Sequence, residues 1–216
     1  MQNRTSIREM ALGERILQGL RAHRLAIEYF VYLVTGFISA NAFVLGGLAP
    51  FGVAFAASAK EKYHPAATLG ATLGYMISFH VEGNLKYILA MLILFALRKF
   101  FQGGGLLRHI SLSSQLCLVL SLGIPSFVIT FASGGNVYDL VFAGSELLLA
   151  CCASYFFTQT VQAFDLGVEN MKQNDITSII ITFCITILAL VNLNVFGLSV
   201  GRIIAVMVIL LAAQMA

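Results

Sequence analysis

Long apolar runs follow one another down this chain with only short polar joints between them, and that succession limits the fold more than any other feature. An α-helix needs about 20 mostly apolar residues to cross a bilayer. The alternating stretches of about ten residues that a membrane β-barrel requires are not seen. Apolar residues make up 59% of the sequence and charged ones 11%, where a soluble domain carries roughly 25% charge. The expected class is all-α: a polytopic transmembrane helix bundle of about eight membrane segments, one of them short. Residues 1–26 read as a basic cytoplasmic segment, and 27–216 as one transmembrane helical domain.

The short segment lies in the stretch from Ala40 to Lys62. An apolar span reaches Gly46-Gly47, turns at Pro50, and returns to Lys60-Glu61-Lys62. Glycine admits backbone angles closed to other residues, and proline lacks an N–H and biases the residue before it away from helix. Gly46, Gly47 and Pro50 therefore form the expected hairpin turn. Leu48 to Ala59 is roughly 12 residues, short of a full span, and non-helical backbone at membrane depth needs protein or trapped water to satisfy it. The segment is expected inside the bundle, away from lipid.

Around it, Ser6-Ile7-Arg8-Glu9 fits a capping box. The helix it would start carries Arg4, Arg8 and Arg15 on one side, which suits the anionic cytoplasmic leaflet or plain solvent. The spans are expected near 27–45, 65–79, 85–97, 111–132, 141–161, 177–195 and 198–216, with Pro125 kinking the fifth run and His80 to Asn84 forming a turn. Ala66, Gly70, Gly74 and Ser78 recur every four residues, a ridge of small side chains that lets membrane helices approach closely. Its partner is expected within the same chain; self-association through Gly70-x-x-x-Gly74 is the alternative. The last run stops among apolar residues, as in a chain cut short of its natural C-terminus.

Orientation follows from basic residues. If every segment crosses, one side holds Arg4, Arg8, Arg15, Arg21, Arg24, Lys60, Lys62, Arg98, Lys99, Arg108 and Lys172, leaving Lys86 and Arg202 for the other. The positive-inside rule makes the first side, with the N-terminus, cytoplasmic.

Little in the sequence carries chemistry. Cys117, Cys151, Cys152 and Cys184 fall in apolar runs without metal-ligand or disulfide spacing and read as small buried residues. His23, His64, His80 and His109 sit at polar joints, away from the His-Glu-x-x-His spacing of a metalloprotease. Gly144-Ser145-Glu146 does not complete Gly-x-Ser-x-Gly. No catalytic, cofactor-binding or metal-binding residues are expected, and no nucleic-acid partner. Glu146 is the intramembrane acidic candidate, since an ionisable group inside a span is costly unless paired or protonated. It is either a structural group hydrogen-bonded to neighbouring helices or, in a small transporter or a substrate-binding transporter subunit, the functional carboxylate.

The run AFVLGGLAPFGVAFAASAKEK at 42–62, the Gly-rich segment after it, and NLKYILAMLILFALRKFF at 84–101 resemble the N-terminal membrane region of the stage II sporulation protein E family of spore-forming Firmicutes. The resemblance implies a membrane anchor and assembly domain: about ten spans, then a cytoplasmic regulatory region and a PP2C-type serine phosphatase. It also implies action at the asymmetric septum on an anti-sigma-factor antagonist, and division-septum proteins as partners beside the lipid bilayer. The manganese or magnesium the resemblance implies belongs to the phosphatase portion, which these 216 residues do not include.

Overall fold

The computed structural model describes residues 25–45, 47–77, 81–103, 110–132, 134–166, 171–191, 194–195 and 198–215. The capping box and basic segment before residue 25, Gly46, Ser78, His80, Gly104-Gly105, Arg108 and His109 lie outside them. Within the described residues the chain is helical, as its apolar runs require: α1 (Leu25–Ala40), α2 (Phe51–Ser58), α3 (His64–Ile77), α4 (Val81–Gly103), α5 (Ile110–Ala132), α6 (Val137–Leu166), α7 (Gln173–Val191) and α8 (Val200–Met215). Between α7 and α8 a minimal antiparallel ribbon pairs β1 (Asn194–Val195) with β2 (Leu198–Ser199).

The expectation of about eight membrane segments is corrected. Among the described residues, three stretches are both long and apolar enough to cross a bilayer: Ser114–Ala132, Val137–Asp165 and Gln173–Val191. Leu25–Ala40 and Val200–Gln214 are apolar but shorter. The 8 residues of α2 rise about 12 Å and the 14 of α3 about 21 Å, against a hydrocarbon core of about 30 Å. Helix α4 is long, but it includes Glu82, Lys86, Arg98 and Lys99. The expected span Leu85–Leu97 leaves out Glu82, Arg98 and Lys99, and so is more apolar than the helix itself. Its first residues, Val81 to Asn84, are helical and not a turn.

The hairpin differs as well. Helix α1 ends at Ala40, and Asn41 turns its side-chain amide back to the Phe37 carbonyl at 2.8 Å. A single bridge pairs Val44 with Leu48 around a turn in which Leu45 (φ 49°) and Gly47 (φ 140°) take left-handed backbone angles. The helix boundary thus falls before the Gly-Gly pair, and Pro50 serves as the N-cap of α2.

The interior is organised around α2, all of whose residues are buried. It packs against α3, α4, α5 and α6, with Phe55 edge-on to Phe157 of α6 at 5.5 Å between ring centres. Alanines on α2, α3 and α6 fill the remaining space. Large apolar side chains such as Phe131, Leu148 and Phe164 cover the outside, as a lipid-facing surface requires. Cys152 and Cys184 belong to that exposed surface, contrary to the expectation that every cysteine is buried. All four thiols are free.

Helices α1 and α3 meet backbone to backbone. A Cβ on Gly70 would overlap the Leu33 carbonyl oxygen. One on Gly74 would stand 2.7 Å from both Phe37 O and the Ala40 methyl, and one on Gly36 2.6 Å from Ala67 O. Ala66 is buried nearby in α3.

Candidate functional site: a latched helix in the bundle core

A two-turn helix cannot satisfy its own ends. The first N–H groups and last C=O groups of any helix lack intrahelical partners, and isolated helices below about 12–15 residues are marginal even in water. Helix α2 has no side-chain cap of its own, since its N-cap is proline. Its partners come from the longer helices around it.

At the N-terminal end two stacked tyrosines, Tyr75 of α3 and Tyr87 of α4, lie 4.9 Å apart between ring centres. Together they hold both polar groups of Ala49, just ahead of α2. The Tyr75 hydroxyl donates to the Ala49 carbonyl at 2.6 Å and accepts the Val53 N–H at 3.2 Å. The Tyr87 hydroxyl accepts the Ala49 N–H at 2.7 Å and donates its proton to Glu146 of α6. Each hydroxyl has one proton to give, and each gives it to a distinct acceptor.

Glu146 is 1% exposed. Its second oxygen takes the Lys86 ammonium at 2.9 Å and the Ser126 hydroxyl of α5 at 3.4 Å. The sequence offered no basic partner for Glu146. A span starting at Leu85 puts Lys86 at its edge, as a joint residue; α4 in fact begins at Val81, so Lys86 lies inside it, near the same end of the bundle as Glu146 of α6. Opposite charges in the first few turns of α4 and α6, two helices that run in the same direction because one helix separates them, were the signal that could have found the pair.

At the C-terminal end Arg98 of α4 supplies the cap. Its guanidinium donates to Ala59 O at 2.7 Å, to Ala57 O, and to the Ser114 hydroxyl of α5 at 3.3 Å. Ser114 in turn donates to Ala57 O. A planar fork with several donors suits such a pair of orphan carbonyls better than an ammonium would. In the sequence Arg98 marks a joint on the basic side; its role as a cap depends on α2 lying alongside. The anion therefore sits at the positive end of α2 and the cation at the negative end, as the helix dipole favours.

The Arg98 end of the bundle is also where several joints meet. Lys60 pairs with Asp165 at the end of α6 at 2.5 Å, Tyr63 hydrogen-bonds Glu28 of α1, and Asp175 accepts the Lys172 N–H at 2.9 Å ahead of α7. His64, the first residue of α3, is buried against Phe95. Burial and the nearby Arg98 charge hold its imidazole down at about 3, hence neutral. Lys60, Lys62, Arg98, Lys99 and Lys172 thus gather at one end of the helices, and Lys86 lies at the other.

Among the described residues no three His, Cys, Asp or Glu side chains come together as a metal site would need. The family model described as "SpoIIE, N-terminal domain" matches residues 2–216. The chain belongs to that family. No curated protein and no solved structure matches it. The SpoIIE N-terminal match and the three long apolar helices together make this a multi-pass, membrane-associated SpoIIE-like domain.

Proposed function

We propose that this domain anchors a cytoplasmic PP2C-type serine phosphatase in the membrane and helps assemble it at the asymmetric septum, with the basic end of the bundle in the cytoplasm. The match to the SpoIIE N-terminal domain over residues 2–216 carries the reading. The gathering of Lys60, Lys62, Arg98, Lys99 and Lys172 at one end supports the orientation through the positive-inside rule. Glu146 acts here as a structural group: its oxygens are occupied by Lys86, Tyr87 and Ser126, which leaves a transporter reading without a specific observation in its favour. The Ala66–Gly70–Gly74 ridge serves packing within the chain, against α1.

Two measurements test the proposal. In a chain whose native cysteines are replaced, a cysteine at Asn136 labels with an impermeant maleimide from outside, and one at Gln173 labels only after permeabilisation. Outside labelling at Gln173 overturns the orientation. A fluorescent fusion of this domain alone concentrates at the sporulation septum, and uniform membrane fluorescence in sporulating cells overturns the septal role.

A further inference from the structure

We infer that α2 is a coupling strut: a single all-or-none element that links the Lys86–Glu146 end of the bundle to its basic end, so that loosening either latch loosens both. The inference does not depend on the anchoring role.

Three observations converge on it. The two latches are built by the same helix, since Tyr87 and Arg98 both belong to α4. Eleven residues of α-helix rise about 16 Å, close to the length from Ala49 to Ala59 that they clasp. α4 is in effect a ruler laid along α2. The helix between the latches is too short to persist by itself, and every one of its residues is buried, so it has no frayed intermediate in which one end is formed and the other is not. Finally, the groups that tie its ends to the rest of the bundle are side chains. Tyr75, Tyr87 and the Glu146–Lys86 pair hold one, and Arg98 with Ser114 the other. Removing one hydroxyl at one end therefore weakens the whole element.

The consequence is mechanical. Lys86, whose side chain is 20% exposed, is the outermost member of the first latch. At the opposite end Ala59 leads directly into Lys60, which pairs with Asp165. A change in the Lys86–Glu146 pair reaches the basic end through α2 with no movement of the long helices required.

Hydrogen exchange by mass spectrometry on this chain in detergent micelles tests the idea with two variants that each remove one hydroxyl. Tyr87→Phe withdraws the acceptor of the Ala49 N–H and a donor to Glu146. Ser114→Ala withdraws a donor to Ala57 O at the other end. Each variant speeds exchange across residues 53–59 by a factor of its own, uniform along the segment and at least about tenfold, the scale of one lost buried hydrogen bond, and in the double variant the two factors multiply. Exchange in α7, which carries neither latch, stays at the parental rate and reports that the variants fold. Acceleration confined to the perturbed end, or none in α2 from either variant, overturns the inference.

Discussion

Gly70→Ala asks one methyl group to enter the closest contact between α1 and α3. The added Cβ would overlap Leu33 O and lie 2.8 Å from Leu33 C and 3.0 Å from its Cα. Carbon atoms rest at about 3.5–4.0 Å, and everything the methyl meets is backbone, which cannot rotate aside. Helix α1 must retreat by about 1 Å or more, a gap that forfeits about half of each contact's attraction. The same retreat opens the neighbouring contacts of Gly36 with Ala67 and of Gly74 with Ala40. Overpacking of this kind costs about 1–3 kcal/mol; the better helix propensity of alanine returns up to about 1 kcal/mol. A net loss of about 1–2 kcal/mol is expected, and a larger one for Gly70→Leu. Reversible unfolding of the purified domain, followed by circular dichroism while SDS displaces mild detergent, measures it. A Gly70→Ala protein at least as stable as the parent would refute the argument, because α1 and α3 would then have room the geometry denies them.

Gly144→Ala is the counterpart: a Cβ there meets nothing within 4 Å, so the same assay should show no loss and a gain of up to about 1 kcal/mol. Glu146→Gln keeps an acceptor for Tyr87 but strips Lys86 of its counter-charge; it should cost about 1–3 kcal/mol, less than a fully buried pair because Lys86 is partly exposed. Septal localisation and phosphatase output of a full-length protein should survive it, and loss of small-molecule uptake or binding instead would revive the transporter reading. His64 binds its proton at about 3 in the folded chain and near 6.5 when unfolded. The unfolded state then takes up more protons below 6.5, so stability falls as pH drops through that range, by roughly 1 kcal/mol at pH 5.5. A His64→Gln variant with an undiminished slope between pH 6.5 and 5 would contradict a buried, neutral imidazole.

Hydropathy and glycine placement are local properties, and what depends on them was legible in the sequence. The membrane class, the helical runs and the family resemblance carried by residues 42–62 and 84–101 all follow from a few turns of chain at a time. So does the alternation that sends Lys60, Arg98 and Lys172 to one end, because successive helices joined by short links must reverse direction. Helix limits were less legible: the first helix stops at Ala40 although apolar residues continue, and α4 runs through charged residues, one of which, Lys86, is paired with Glu146 of α6. What the tertiary structure alone decided is which polar groups meet. Lys86 finds Glu146 across 60 residues, Tyr87 finds Ala49 across 38, and Arg98 finds Ala59 across 39. None of these pairs has a spacing rule, because each exists only where two helices pack at a particular depth. The same packing explains why a helix of 8 residues exists at all: a segment that short has no stability of its own, so its fold is a property of the helices that surround and cap it.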